Sequence, residues 1–315
     1  MKYLLLYGLL PLAIARADLT EKFTAAASQK ELAVAGEDSW LFLKQEMTHL
    51  AKGPLTAEAT ATAVKAISAY HTALAAESVQ PIVLPVPAKA EIYPDKFSAA
   101  EPPRSLAGRQ DSFIQALEQA GVTVIDLASA FHAEREKHME TPLYCARDAH
   151  WSPAGLKIAA ELVKAGIKDQ TWFKPALPLA EPVTLEITGD LMASPATASL
   201  GAEKIRVQRT ADLMEPAADA PAILLGDSHT LVFGGGADAG FHCQGAGLLD
   251  VLQAASGQPW MQVANAGGGT DAARLQLARK ALPKPNFWKT KKVVVWCFSI
   301  REVTEKKWSE VPIKK

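Results

Sequence analysis

The sequence predicts an α/β protein with a mostly parallel central sheet covered by helices on both faces. Three observations predict it. Short apolar runs, PIVLPV at 81–86, AILLG at 222–226 and KKVVVWCF at 291–298, alternate with segments of helical period. Gly226-Asp227-Ser228 follows one of these runs directly, at the carboxyl edge where open α/β sheets place their ligand sites. The chain has 315 residues, 49% of them hydrophobic, with 33 Lys+Arg against 34 Asp+Glu, enough to bury a large core. That balance excludes disorder, and a net charge of −1 offers no general attraction to polyanionic nucleic acid.

Residues 1–17 read as a secretory signal peptide. Met1-Lys2 is a short positive start, 3–15 an apolar run, and Ala15-Arg16-Ala17 a small-x-small cleavage site. As a helix the run would reach roughly 20 Å, short of the ~30 Å hydrocarbon core, so a cleaved signal is expected over a retained anchor. The mature part, 18–315, is expected to be one domain. Export puts Cys145, Cys243 and Cys297 where disulfides form; three cysteines allow one internal pair at most, with each pairing open, and their spacing is not that of a zinc cluster.

The remaining elements follow in order. Residues 18–31 form a polar helical entry, and Gly36 to Leu43 a turn feeding a short aromatic strand. Ala63, Ala66, Ile67, Tyr70, Ala73 and Leu74 recur three and four apart, which predicts one amphipathic helix over 56–78. A strand at 81–86, a helix at 104–120 and a strand at 122–127 come next. Ser152 suits an N-cap and Pro153 the first helical position, so a helix over 154–167 begins just after His150. The proline-rich stretch 168–220 is a surface excursion with short strands near 183–187 and 204–208. Beyond it come the 222–226 strand, a helix near 244–255, a strand at 261–264, a Gly267-Gly268-Gly269 turn, a helix at 270–281 and the final 291–298 strand.

The candidate chemistry centres on Ser228. The preceding glycine allows a sharp turn, and backbone N–H groups beyond the strand can stabilise an oxyanion. A serine nucleophile needs a base near neutral pKa and a carboxylate that fixes the base's tautomer. Asp148-Ala149-His150 supplies both, because in an extended segment residues two apart project to one side. Alternative readings are a surface aspartate beside a core or capping histidine, or a metal site drawing on His138, Asp148 and His150. No metal-ligand spacing supports the latter. His49, His71, His132, His229 and His242 read as structural or solvated.

Taken together the segments resemble the periplasmic alginate O-acetyltransferase family, a branch of the SGNH/GDSL hydrolase superfamily in which Asp-x-His precedes the serine. The residues that carry the resemblance are Gly36 to Leu43 with Glu46, Pro85-Val86-Pro87-Ala88-Lys89-Ala90, Tyr144, Asp148 to Gly155, Gly189-Asp190-Leu191, Gly226-Asp227-Ser228, and Gly267-Gly268-Gly269 leading into Arg274. Ala149 stands where many relatives hold Thr, and Ser39 where Gly is typical. The resemblance implies an SGNH-like three-layer sandwich with Ser228 as nucleophile, His150 as general base and Asp148 as its orienter. It points to Gly268, Gly269 and Asn265 for the oxyanion site, and to Tyr144, Lys89, Arg274 and Arg301 as groove or support residues.

The implied activity is transfer of an acetyl group through an acyl-serine onto hydroxyls of an exopolysaccharide such as alginate. The implied partners are the polysaccharide and a membrane-bound O-acyltransferase that delivers the acetyl group at the inner membrane, with no diffusible cofactor and no C-terminal carbohydrate-binding module. Two competing functions use the same residues differently: a secreted acetyl esterase with the same triad, and a non-catalytic polysaccharide-binding or assembly subunit.

Overall fold

The structure, a computed structural model, describes residues 19–314; the expected signal peptide lies outside them. Strand β1 (Ala33–Ala35) pairs antiparallel with β2 (Leu41–Leu43). The next strand, β3 (Gln80–Val86), belongs to the central sheet; β4 (Val183–Ile187) and β5 (Glu203–Val207) form an antiparallel hairpin. The sheet is completed by β6 (Ala222–Gly226), β7 (Trp260–Ala264) and β8 (Val293–Ser299), in the order β3-β8-β6-β7, all parallel. Every residue of β6 and β8 is buried, as the continuous apolar runs require of strands covered on both faces.

The layers follow from the two-residue alternation of side chains. Trp296 meets Tyr70 of the helix Ala57–Ala76 at 5.5 Å between ring centroids, and the guanidinium of Arg274, on the helix Gly269–Ala281, lies 4.8 Å from the Trp296 ring. Those helices cover one face. Helices Leu127–Lys137, Pro153–Gly166 and Leu248–Ser256 pack on one another and cover the other. Ser152 caps the helix Pro153–Gly166 by accepting from the N–H groups of Ala154 and Gly155, with Pro153 in its first turn, as expected.

Two expected elements are shorter than their patterns. The helix at 104–120 starts at Asp111, because 104–110 form turns that bring Arg109 into the core, where it donates to the His49 carbonyl at 2.9 Å. The strand at 122–127 is reduced to one parallel bridge, Val124 beside Val83. The cause lies in β3. Val83 donates to Thr123 and accepts from Ile125, so the odd-numbered residues of β3 face this edge. Two of them, Pro81 and Pro85, have no N–H to donate. The three cysteines are buried and unpaired: Cys145 Sγ lies 3.7 Å from the Trp151 carbonyl, Cys243 Sγ 3.6 Å from that of Phe233, and Cys297 sits in β8. Among the described residues no helix is long and apolar enough to cross a membrane.

Candidate active site

Ser228 opens a single 3-10 turn, Ser228–Thr230, directly after β6. The turn is sharp because Gly226 runs against β8: a Cβ there would lie 2.3 Å from the Cys297 carbonyl oxygen. Asp227 fixes the turn. Its carboxylate accepts from the His229 N–H at 2.9 Å and from the Ser299 N–H at 2.8 Å, tying β6 to the end of β8. Its pKa is held low: burial opposes ionisation, but the His229 ring and these N–H donors outweigh it.

The histidine arrives from the opposite side, on a tight loop closed by a bridge between Tyr144 and Trp151. His150 Nε2 lies 2.7 Å from Ser228 Oγ, and its Nδ1 lies 2.7 Å from Asp148 Oδ1. The segment is bent rather than extended. Asp148 Oδ1 also accepts the backbone N–H of His150 at 2.9 Å, so the carboxylate reaches its histidine through a turn of its own. A carboxylate only accepts, so Nδ1 carries the proton and Nε2 of the neutral ring is free to take the serine proton.

The other oxygen of Asp148 is also engaged. Asp148 Oδ2 accepts from the Asp190 N–H at 3.0 Å and from His242 Nε2 at 3.0 Å. Asp190 in turn accepts from the Ala149 N–H at 2.8 Å, and Gly189 lets it approach, since a Cβ at 189 would lie 2.0 Å from the Arg147 carbonyl oxygen. Burial alone would raise the Asp148 pKa; the charge of His150 and the donors from His150, His242 and Asp190 outweigh it and hold it well below the usual carboxylate range. For His150 burial works downward, and Asp148 overcomes it to bring the imidazole up to about 9.

Asp148, His150 and Asp190 each offer a ligand atom within 4.8 Å of the others. Both oxygens of Asp148 are already taken by N–H donors, so the cluster fits a hydrogen-bond network better than a metal site. His138 stands apart on the surface, between Glu134 and Glu140.

Other expected site residues fall in three places. Asn265 follows β7, donates its N–H to Gly226 at 3.0 Å, and leads into Gly268, which is exposed, and Gly269, which is buried at φ +71°. Arg301 follows β8 and lies 3.9 Å from Glu302, with a fifth of its side chain exposed. Tyr144, Lys89 and Arg274 do not line a groove. Tyr144 is buried with its hydroxyl on the Pro87 carbonyl, packed edge-on against Tyr93 and Phe131. Arg274 is buried among Tyr70, Trp296 and Trp308 and paired with Asp271.

Lys89 is buried too, and its ammonium donates to the carbonyls of Leu41, Ala146 and Asp148 at 2.6, 2.9 and 3.0 Å. Burial costs an ammonium several kcal/mol and pushes its pKa down to about 8; three charge-assisted bonds at about 1.5–3 kcal/mol each are enough to hold it there. Lys89 thus pins the loop that carries Asp148.

His242, read from sequence as structural or solvated, reaches Asp148 Oδ2, a contact that no local pattern of the sequence signals. It sits at φ +67° and rests on Phe233, itself at φ +61°, in a loop closed by Phe233 and Phe241. Two bulky residues in the left-handed region are the mark of a loop whose geometry is imposed from outside. His229 packs beside the site with its ring 5.0 Å from that of His150 and its Nδ1 on Asp227.

The fold has counterparts among known proteins. Residues 33–300 match the family profile described as "SGNH hydrolase-like domain, acetyltransferase AlgX". Proteins named "Probable alginate O-acetylase AlgJ" are similar over a shorter stretch: that of Pseudomonas syringae pv. tomato is 26% identical over 134 residues, 42% of this chain and 33% of the relative, and that of Pseudomonas aeruginosa 24% identical over 136 residues, 43% and 33%. The chain thus spans about a third of the length of these relatives. Among solved structures, the O-acetyltransferase domain of Pseudomonas putida AlgJ superposes with a TM-score of 0.63 at 23% identity, covering 87% of this chain and 93% of that one. Pseudomonas aeruginosa AlgX superposes at 0.59 with 20% identity, covering 88% and 64%. The SGNH-like fold is shared with both, and since the profile covers most of the sequence, from β1 to just past β8, this chain belongs to the AlgX family of SGNH hydrolase-like acetyltransferases.

Proposed function

We propose that the protein is an exported, periplasmic O-acetyltransferase that moves an acetyl group through an acyl-Ser228 intermediate onto hydroxyls of an exopolysaccharide such as alginate. The observation that carries the proposal is the unbroken relay from Ser228 Oγ to His150 Nε2 and from His150 Nδ1 to Asp148, each contact at 2.7 Å. In the first half-reaction Ser228 Oγ attacks the carbonyl carbon of an acetyl donor while His150 Nε2 takes the hydroxyl proton. The backbone N–H of Ser228 is the donor proposed for the oxyanion, with Asn265 and Gly269 as further candidates; the Gly268 N–H is already given to the Asn265 carbonyl at 3.4 Å. Collapse of that adduct leaves acetyl-Ser228, and His150 returns the proton to the leaving group.

In the second half-reaction a sugar hydroxyl gives its proton to His150 and attacks the acetyl carbonyl, and the proton passes back to Ser228. No cofactor is needed in either step. A membrane-bound O-acyltransferase is the proposed donor, and the residues from 18 onward form one catalytic domain. The names of the relatives support the polysaccharide as acceptor.

The test is the intact mass of the mature protein after incubation with an activated acetyl ester. The expected result is an adduct of about +42 Da, an acetyl group replacing a proton, absent from Ser228→Ala and lost onto an added oligosaccharide. Loss to water alone would favour an esterase. No adduct and no ester turnover in folded protein would favour a non-catalytic binding subunit.

A further inference from the structure

The chain carries one small device twice, and the proposed reaction uses only the first copy. In Asp148-Ala149-His150, Asp148 Oδ1 accepts the backbone N–H of His150 at 2.9 Å and its ring Nδ1 at 2.7 Å. In Asp227-Ser228-His229, Asp227 Oδ1 accepts the backbone N–H of His229 at 2.9 Å and its ring Nδ1 at 3.0 Å. Each aspartate is anchored through its other oxygen to an N–H from elsewhere in the chain, that of Asp190 at 3.0 Å for the first and that of Ser299 at 2.8 Å for the second. The nucleophile is the middle residue of the second copy.

The two copies meet ring to ring. The His229 ring lies 5.0 Å from that of His150 at an interplanar angle of 67°, and 5.4 Å from that of Trp151 at 80°. Neighbouring residues of one 3-10 turn thus bear on one imidazole, Ser228 on its Nε2 at 2.7 Å and His229 on the ring itself. Because a carboxylate only accepts, His229 Nδ1 holds the proton and its Nε2 keeps a lone pair. That Nε2 is buried and has no hydrogen-bond partner among the described residues. A buried nitrogen left unpaired costs stability, and a phenylalanine would fill the same space without that cost, so packing alone does not account for a histidine here. Burial keeps the His229 pKa below its ordinary 6.5; Asp227 opposes this, and the charges of His150 and Arg301 add to it. His150 therefore faces the carboxylates of Asp148, Asp190 and Asp227 and, in His229, a ring that stays neutral while His150 gains and loses its proton.

We infer that His229 is a positioning residue of the acyl transfer: locked by Asp227, its neutral polar ring holds the His150 imidazole at the angle that keeps Nε2 on Ser228 Oγ while the proton passes between them. The inference rests on the proposed transferase reading and adds to it a residue that acts through His150.

Two measurements test it. In the wild-type chain with isotope-labelled histidines and no acetyl donor, the ring nitrogens of His229 are followed by NMR as pH is raised through the titration of His150. The expected result is that His229 keeps its proton on Nδ1 throughout and that its Nε2 resonance shifts with the same midpoint as His150; an Nε2 resonance that ignores this midpoint overturns the inference. The second measurement is acylation of Ser228 by p-nitrophenyl acetate in His229→Phe, which keeps a ring and removes both nitrogens. Its kcat is expected to fall at least about tenfold with KM changed less than about twofold. A wild-type rate would make the ring a space-filler and overturn the inference. If His229→Phe does not keep a cooperative melting transition, His229→Asn, whose amide can still donate to Asp227 but which has no ring to set against His150, replaces it and must show the same loss in kcat. Absence of acyl-Ser228 in the wild type would be the failure of the transferase reading, whereas an acylated wild type with an unimpaired variant would be the failure of this one.

Discussion

Asp148 is shared by two imidazoles, His150 on one oxygen and His242 on the other, and its buried charge raises the pKa of His150. His150 can take the Ser228 proton only when neutral, and with its pKa brought up to about 9 the protonated form dominates at neutral pH. The rate of Ser228 acylation by an activated acetyl ester is therefore expected to rise with pH, with its midpoint near 9, and to level off above that. Removing His242 concentrates the Asp148 charge on His150. For His242→Ala the acid limb is expected to move to higher pH and the plateau to fall about tenfold, as loss of one charge-assisted hydrogen bond implies. A pH–rate profile of both proteins checks this. An unmoved limb would make His242 a packing residue.

At the scale of elements, the site depends on a loop pinned from three directions: Lys89 on its carbonyls, the Asp190 N–H on its carboxylate, and the Tyr144–Trp151 bridge at its base. Gly189 is what lets the 189–190 turn approach. A Cβ there meets backbone, not a side chain that can swing away. Gly189→Ala is expected to destabilise the fold by about 2–4 kcal/mol and to cut acylation at least about a hundredfold, checked by thermal unfolding and ester kinetics. Elements with strong local signals were legible in the sequence: the capped helix after Ser152-Pro153, the buried strands and the Gly226-Asp227-Ser228 turn; Asp148 and His150 were legible as a pair, but in an extended segment where the chain is bent. What was not legible depends on contacts across the chain. His242 joins Asp148 from 94 positions away, and no local pattern separates it from a loop histidine. For Lys89, Tyr144 and Arg274 the sequence left groove and support roles open, and it is the partners each finds inside the core that decide for support. The positive φ of Asp38 and Ser39, at 49° and 63°, gives a physical reason why Gly is typical at the latter position.

For the whole molecule, the core carries ionisable groups whose titration reaches its stability. Glu46 is buried and accepts the Lys89 N–H at 3.1 Å; burial raises its pKa from 4.5 to about 7. The folded protein thus keeps a proton that the unfolded chain releases above pH 4.5, and this group's contribution to stability falls as pH rises from 4.5 through about 7. Glu46→Gln keeps an oxygen to accept from Lys89 and removes the titration. Its melting temperature is expected to gain on the wild type by a few degrees between pH 5 and pH 8, and parallel melting curves over that range would refute the assignment. The two prolines of β3 have a consequence at the same scale. Pro81 and Pro85 offer no N–H toward the outer side, and the one donor between them, Val83, is already bound to Thr123. A chain approaching that flank finds no ladder to extend, so this edge of the sheet is protected from growing into a neighbouring copy.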